Sequence, residues 1–247
     1  KGVRPKYYFI SGSGNKTSFT KKNLFKISKS LKQEQNKYSI HLSGGDTVFS
    51  KKLSFTITSI GFSKKIVFRN KAKINDDIYV TGNLGDSYIG LKILKKKINL
   101  NKNFTNYFIK KYFCPDLKIN LTKKLFSFAN TSIDISDGLI TDLEKMINKQ
   151  KFSYKLYLKD IPISKKLKKL VNLKIMKKIS CISQGDDFQI LFTASQSKSR
   201  IINKISKSLG IKISKIGKIY AHKHKSQIID ENNEKIPLKS KGYFHKF

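Results

Sequence analysis

Apolar residues recur along this chain with two different spacings, and each spacing predicts a different kind of element. Alternation of apolar and polar positions predicts strands, whereas recurrence every three or four positions predicts amphipathic helices. Strands are predicted over residues 38–42, 53–58, 77–81, 132–135, 154–158 and 211–220. Helices are predicted from apolar stripes within residues 89–94, 117–128, 139–147 and 201–209. The interleaving of the two patterns predicts an α/β protein.

A change of pattern near residues 70–75 predicts a domain boundary. Before it the strand patterns are isolated, and after it strands and helices alternate regularly. Gly210 predicts the end of the helix over 201–209, and the asparagine pair at 232–233 predicts a hairpin. We therefore predict an α+β part over residues 1–70 and an α/β domain over residues 71–247.

Two aspartates lie where a predicted strand meets a predicted helix. Asp134 and Asp137 belong to residues 132–139, which read SIDISDGL. Ser136 or Asp137 can serve simply as the N-cap of the helix. Alternatively, the carboxylates bind Mg²⁺, which takes one or two carboxylates together with substrate phosphates, while the helix N-terminus favours a phosphate. The residues by themselves leave both interpretations open.

Two glycine-containing turns carry further aspartates. Residues 44–47 read GGDT, and as an isolated pair of glycines they predict a plain loop. Residues 82–87 read GNLGDS and match neither a Walker loop nor a clean dinucleotide fingerprint. Asp86 is therefore predicted to cap a helix rather than to bind a ligand.

A pair of adjacent acids and one arginine are further candidates. Asp186 and Asp187 precede an apolar strand, where neighbouring side chains point to opposite faces. At most one of these two carboxylates is therefore expected to face a given site. Arg69 has a guanidinium fork that suits phosphate, although an ordinary surface arginine is the simpler interpretation.

The charge of the chain is strongly positive, with 52 Lys and Arg against 16 Asp and Glu and a net charge of +36. Such a charge is compatible with nucleic-acid binding, but the basic residues are nearly all lysines spread along the chain, which codon drift in an AT-rich genome explains equally well. Cys114 and Cys181 have no paired spacing, which argues against a disulfide framework or a zinc site. No stretch approaches the roughly 20 apolar residues of a membrane span.

Taken together, these segments resemble the thiamine-monophosphate kinase family, which belongs to the superfamily of aminoimidazole ribonucleotide synthetase. The matching segments are residues 44–47, 68–69, 77–82, 85–87, 132–139, 142–143, 185–188 and 241–245. They extend over essentially the whole chain. The IDISDGL stretch and the glycine–tyrosine tail are the specific parts, whereas the glycine turns select only the superfamily.

The resemblance implies an aminoimidazole ribonucleotide synthetase-like fold and the ATP-dependent phosphorylation of thiamine monophosphate to thiamine diphosphate, with Mg²⁺. It implies these residue roles: Asp46, Asp134 and Asp137 as metal ligands, Gly45, Asp46, Arg69 and Ser136 as ATP contacts, and Asp186 and Tyr243 as thiamine contacts. No catalytic base is expected, because the acceptor is already a phosphate oxygen and transfer requires positioning and charge neutralisation. A cytoplasmic homodimer without membrane or nucleic-acid partners is also implied.

This chain departs from the family pattern in two ways. Asp186 stands where the family often has glutamate, and Gln184 replaces a usual glycine. The chain begins at Lys1, and its first residues resemble a point inside the family's first domain. We therefore expect residues 1–70 to be the remnant of an ATP-binding, metal-binding and dimerisation domain, and we expect little kinase activity from this chain alone.

Two other functions are weighed against this interpretation. One is another ATP-dependent, phosphate-activating enzyme of the same superfamily. The other is a lysine-rich nucleic-acid-binding protein, whose affinity would fall steeply with salt.

Overall fold

A computed structural model describes residues 2–222 and 225–237 of the chain. The chain divides into two compact units between Ile66 and Val67. Each unit contains a β-sheet of its own.

The first unit combines a three-stranded sheet with one long helix. Its elements are β1 (Arg4–Gly14), α1 (Lys21–Tyr38), β2 (His41–Phe49) and β3 (Ser54–Phe62). β1 lies in the middle of the sheet, parallel to β2 and antiparallel to β3. The helix begins after Thr20, whose side chain accepts a hydrogen bond from the Asn23 N–H, as an N-cap threonine does.

The strand predicted over residues 38–42 is wrong at its start. Tyr38 is the last residue of α1, and the residue after it ends the helix in the left-handed region, with φ of 53°. β2 begins at His41 and runs through Gly44 and Gly45, for which the sequence predicts a plain loop. Over so few positions, alternation cannot be distinguished from the end of a helical stripe.

The second unit is built on a six-stranded sheet within its described residues. The strands are β4 (Asp77–Thr81), β5 (Thr131–Asp134), β6 (Phe152–Tyr157), β7 (Ile190–Ala194), β8 (Ile213–Ala221) and β9 (Gln227–Ile229). The helices are α2 (Asp86–Leu94), α3 (Lys102–Phe113), α4 (Ile119–Leu125), α5 (Leu139–Ile147), α6 (Lys165–Asn172), α7 (Lys178–Ile182) and α8 (Ser199–Leu209). The strand order is β5-β7-β4-β8-β6-β9, and the pairings are antiparallel except that of β6 with β9.

Alternate residues of the central strand β4 pack into two different cores. Ile78 and Val80 join a buried cluster with α5. Tyr79 instead stacks on Phe192, with ring centroids 5.2 Å apart, in a second cluster with α4 and α8. All of β4 is buried, as expected for a strand covered on both faces. The sheet therefore lies between helical layers, which confirms the α/β prediction for this unit.

Several predicted boundaries are confirmed. β4 spans the predicted residues 77–81, and α8 ends at Leu209 with Gly210 as a left-handed C-cap. The predicted hairpin is present, because Ile229 and Lys235 pair antiparallel across its turn. The pattern does not predict α3 and α6, whose apolar positions are interrupted by lysines.

Gly217 of β8 offers a test of how closely the strands approach. A Cβ added there would lie 2.2 Å from the Lys155 backbone oxygen, whereas one added at Gly210 would meet nothing within 4 Å. We expect Gly217→Ala to lower the free energy of unfolding by about 3 kcal/mol, because the neighbouring backbone must move. Gly210→Ala should cost about 1 kcal/mol from its left-handed conformation alone. Urea unfolding compares the two, and an equal loss would contradict the close approach.

Candidate functional site

The junction between β5 and α5 carries Asp134 and Asp137. β5 ends at Asp134, whose side chain is exposed, and the half-buried Asp137 lies in the turn before the helix. The N-cap position belongs to Gly138, with φ of 119° and no side-chain capping bond. The interpretation of Ser136 or Asp137 as the N-cap is therefore wrong, and the carboxylate of Asp137 remains available for other contacts.

The capping interaction comes from inside the helix. The buried Asp142 Oδ2 accepts hydrogen bonds from the backbone N–H groups of Ser136, Asp137 and Gly138 at 2.8, 2.8 and 3.1 Å. Burial raises the pKa of Asp142, and the donated hydrogen bonds oppose that shift. Sequence reasoning gave Asp142 no role, although an acid in the first turn of a helix is a recognised stabilising signal.

A second turn, over residues 183–188, lies directly on this junction. The Asp186 N–H donates to the Ser136 backbone oxygen at 3.0 Å, and the Phe188 N–H donates to the Ile135 backbone oxygen at 2.8 Å. Asp186 has φ of 66°, in the left-handed region. The two turns are therefore joined backbone to backbone.

Two glycines make this approach possible. A Cβ added at Gly185 would lie 1.7 Å from the Ser136 oxygen, and one added at Gly138 would lie 2.2 Å from the Ser183 oxygen. Neither separation is compatible with a side chain, so both positions require glycine.

The joined turns bring two predicted site residues together. Burial raises the pKa of Asp186, and the negative charge of Asp137 raises it further. Asp137 also forms an ion pair with Lys145, from the following helix. The site is therefore acidic, with one lysine compensating part of its charge.

The side chain of Asp187 is buried and hydrogen-bonded to a different segment from that of Asp186. Only one of the two adjacent acids therefore lies at the junction, although both are in a turn and not on the predicted strand. The Asp187 side chain is 5% exposed, and its Oδ2 accepts a hydrogen bond from the Gly85 N–H at 2.8 Å. Burial raises the pKa of Asp187 to about 8. This contact ties the start of α2 to the turn that carries Asp186.

Asp86 was expected to cap α2, and that prediction is wrong. Gly85 occupies the N-cap position, and Asp86 is buried in the first turn. Its carboxylate accepts hydrogen bonds from the Ser164 hydroxyl at 2.7 Å and from the Tyr107 hydroxyl at 2.8 Å. Burial raises its pKa. Asp86 thus connects α2 to two distant elements, a role that depends on partners far away in the sequence.

Gly45 and Asp46 lie in the first unit, on β2. A Cβ added at Gly45 would lie 1.8 Å from the Ile10 backbone oxygen of β1, so the glycine is required by strand pairing. Asp46 is exposed, and its Oδ1 accepts a hydrogen bond from the Thr47 N–H at 2.7 Å. An exposed carboxylate on this strand is accessible to a cation or a nucleotide.

The remaining predicted site residues are Arg69, Ser136 and Tyr243. Arg69 is exposed near the start of the second unit, and Ser136 is half-buried in the β5–α5 turn. Tyr243 lies outside the described residues.

Neither a preformed cluster of metal-binding side chains nor a membrane-spanning helix is present within the described residues. There, no group of three or more His, Cys, Asp or Glu side chains converges into a metal centre. Asp134 and Asp137 nevertheless suit Mg²⁺, which binds proteins through one or two carboxylates when substrate phosphates supply further ligands. No helix in the same part of the chain is long and apolar enough to cross a membrane.

The chain is similar in sequence to curated thiamine-monophosphate kinases, although no protein-family model matches it. It is 39% identical to the protein of Buchnera aphidicola subsp. Schizaphis graminum, over 89% of this chain and 68% of that protein. It is 37% identical to the protein of Buchnera aphidicola subsp. Acyrthosiphon pisum, over 90% and 69% of the two chains. For the Escherichia coli protein the identity is 32%, over 89% and 67%.

Solved structures confirm the predicted fold. The structure of AaThiL complexed with AMPPCP and TMP superposes with a TM-score of 0.82 at 23% identity, covering 98% of this chain and 75% of that one. HypE in the HypE–HypF complex gives a TM-score of 0.77 at 16% identity, over 97% and 79% of the two chains. The fold is aminoimidazole ribonucleotide synthetase-like, as the sequence resemblance predicted.

The buried carboxylate of Asp187 predicts a pH dependence of stability. Its pKa is about 8 in the folded chain and near 4 in the unfolded chain. Because the folded-state pKa is the higher one, its contribution is fully present below about pH 4 and is lost as the pH rises to about 8. The free energy of unfolding should therefore fall more between pH 5 and pH 8 in the wild type than in Asp187→Asn.

Urea unfolding at four pH values across this range measures the difference. Asp160→Asn, at an exposed aspartate, is the matched control and should follow the wild-type profile. Parallel profiles for the wild type and Asp187→Asn would contradict the buried, uncharged state of Asp187.

Proposed function

The chain belongs to the thiamine-monophosphate kinase family, and we propose that it performs the chemistry of that family at the joined turns 134–138 and 183–188. It is a phosphotransferase: the terminal phosphoryl group of ATP passes to the phosphate of thiamine monophosphate, and thiamine diphosphate and ADP are formed. The observation that carries this conclusion is the sequence identity of 39% over 89% of the chain.

This reaction requires little covalent chemistry from the protein. The acceptor is a phosphate oxygen, which is already nucleophilic, so no side chain has to remove a proton from it. Catalysis depends on holding donor and acceptor in line and on neutralising the charge of the transferring group. A rigid arrangement of carboxylates that can hold a metal ion is suited to this task.

Asp134 and Asp137 are the residues we propose for Mg²⁺. Two features support this proposal. Both side chains are carboxylates, and both lie on one strand-to-helix turn, where one is exposed and the other is half-buried. The metal, when bound with the nucleotide, neutralises phosphate charge and orients the transferring group. Lys145, paired with Asp137, supplies positive charge beside the same carboxylate.

Four residues are proposed to contact ATP and two to contact thiamine monophosphate. The nucleotide residues are Gly45, Asp46, Arg69 and Ser136, and Asp46 is also proposed as a metal ligand. For the acceptor, we propose Asp186 and Tyr243, with the Asp186 carboxylate close enough to Asp137 for its pKa to respond to that charge. The side chain of Asp186 is one methylene shorter than that of a glutamate, so the distance that its carboxylate can reach depends on the backbone position of the turn.

A homodimer formed through the first unit is also part of the proposal. Large apolar side chains of β2 and β3 are exposed there, with Phe49 at 79%, Phe62 at 68% and Ile57 at 59%. Large apolar side chains exposed on a sheet are compatible with a protein interface. We further propose a cytoplasmic location, where ATP is available. The other enzyme class of the superfamily is disfavoured, because HypE structures are only 14–16% identical to this chain.

Substitution of Asp137 tests the proposed metal role. In a version of the protein extended upstream of Lys1, we expect Asp137→Asn to lower kcat for thiamine diphosphate formation by roughly 100-fold or more, because an anionic metal ligand is lost. The unfolding midpoint should stay close to that of the wild type, since Asp142 rather than Asp137 stabilises the turn. The assay measures thiamine diphosphate formed from ATP, thiamine monophosphate and Mg²⁺.

Asp160→Asn, at an exposed aspartate far along the chain from the site, is the control and should retain wild-type turnover. Near-normal turnover of Asp137→Asn at saturating Mg²⁺ would remove Asp137 from the metal site. ATP consumption by the wild type without thiamine diphosphate would overturn the proposed reaction itself.

A further inference from the structure

An apolar cavity of about 300 Å³ opens beside Asp134 in the second unit. Its apolar walls are Leu117, Ile119, Ile133, Phe188 and Ile190. This volume lies at the lower end of the range typical of small-molecule sites, which are largely apolar with a few placed polar groups. None of these five residues is among the predicted site residues.

One buried polar group at this cavity has no hydrogen-bond partner in the part of the chain that the structure describes. Ser132 is 1% exposed, and its hydroxyl makes no hydrogen bond within the described residues. Ser132 and Asp134 are two positions apart on β5, so their side chains share one face of the strand, and both line the cavity. A buried hydroxyl without a partner costs roughly 1–3 kcal/mol, which a ligand with a complementary atom would offset.

Phe188 provides an aromatic surface at the same cavity. Its backbone lies in the left-handed region, with φ of 48°, and its side chain is 38% exposed. A bulky residue in this region is a strained exception, and such strain concentrates at ligand sites. The hydrogen bond from its N–H to the Ile135 oxygen, 2.8 Å long, holds the strained backbone in place.

The polar end of the cavity carries opposite charges. Asp134 lies there as a proposed metal ligand, and Lys118 lines the same cavity with a side chain that is 13% exposed. The Lys118 ammonium pairs with Asp116 at 2.6 Å. The cavity is apolar, contains one hydroxyl without a partner among the described residues and has charged groups at its polar end. These properties suit a flat heteroaromatic ring that is joined to a phosphate.

We propose that this cavity binds the aminopyrimidine ring of one of the two substrates, with the Ser132 hydroxyl hydrogen-bonded to the ring edge and Phe188 against its face. Adenine and the pyrimidine of thiamine both present an amino group beside a ring nitrogen, so either ring satisfies the hydroxyl. Adenine and the thiamine pyrimidine are the candidate rings because ATP and thiamine monophosphate are the substrates under the proposed function. The proposal adds Ser132 and Phe188 to the residues that contact substrate.

Ser132→Ala is the direct test. Because the hydroxyl has no partner among residues 2–222 and 225–237, its removal should leave the unfolding midpoint unchanged or slightly higher. The dissociation constant and KM of one substrate should rise about three- to tenfold, the effect of one lost hydrogen bond, while those of the other stay within about twofold. Calorimetric binding of AMPPCP and of thiamine monophosphate, together with steady-state kinetics, identifies which substrate is affected.

Ser153→Ala is the matched control. Ser153 is buried on β6, and its hydroxyl donates to the Ala221 oxygen at 2.9 Å. Its loss should lower the unfolding midpoint and leave both dissociation constants unchanged, the reverse of the Ser132→Ala pattern.

Analogues that lack the amino group distinguish the two sources of the ring. In purine riboside triphosphate and in desaminothiamine monophosphate a hydrogen atom replaces that group, so the serine hydroxyl has no polar atom there to bond. If adenine occupies the cavity, Ser132→Ala should reduce the ratio of the dissociation constants of purine riboside triphosphate and ATP only. If the thiamine pyrimidine occupies it, the ratio for desaminothiamine monophosphate and thiamine monophosphate should fall instead.

Phe188→Ala provides a second, independent variant. Loss of ring stacking should weaken the same substrate about fivefold or more, whereas Phe113→Ala, at an exposed phenylalanine of α3 outside the cavity, should change neither substrate. If Ser132→Ala and Phe188→Ala are both folded and bind both substrates with unchanged affinity, the cavity does not bind a substrate ring. The proposed kinase reaction is not affected by that result. In a version of the protein extended upstream of Lys1, a wild type that binds both substrates without forming thiamine diphosphate rules out the proposed reaction. The binding constants of the variants then still test whether the cavity holds a substrate ring. A wild type that binds neither ATP nor thiamine monophosphate contradicts both the proposed reaction and the proposed role of the cavity.

Discussion

The arrangement of the candidate site depends on one close approach, in which the turn over residues 183–188 lies on the β5–α5 turn backbone to backbone. Gly138 and Gly185 permit it, since a single methyl group at either position would overlap a carbonyl oxygen. Hydrogen bonds between the two backbones then hold the separation. A site assembled this way has its geometry set by main-chain atoms, which are less adaptable than side chains. Asp137 and Asp186 come together for this reason.

Carboxylates are scarce in this chain, and several of them are used to hold these turns in place. Asp142 binds three consecutive N–H groups of the β5–α5 turn, and Asp187 binds the N–H that begins α2. Asp76 likewise accepts hydrogen bonds from Asn130 and Thr193. A buried carboxylate is costly unless it is satisfied by hydrogen bonds, so these contacts fix distant segments relative to one another. Asp134 is exposed, and Asp137 is half-buried and paired with Lys145; these are the carboxylates that we propose as metal ligands.

The sequence was most informative where chemistry and local structure coincide. The strand predicted over residues 132–135 is present as β5 but ends one residue earlier, at Asp134, and the helix predicted from Leu139 begins at that residue. The partners of Asp86 and Asp187 could not be predicted, because Gly85 and Asp187 are separated by 102 positions and no local pattern encodes that contact. The glycines of β2 were misjudged for the same reason: their neighbour is a different strand, β1.

The central claim is that the two joined turns form a single cation and phosphate site. Mn²⁺ added in small amounts with AMPPCP tests it, because the paramagnetic ion broadens the NMR signals of nearby amides. The account predicts that amides of residues 134–138 and 185–187 broaden together, while those of residues 206–211 at the end of α8 stay sharp. Broadening confined to one of the two turns, or absent from both, would contradict it.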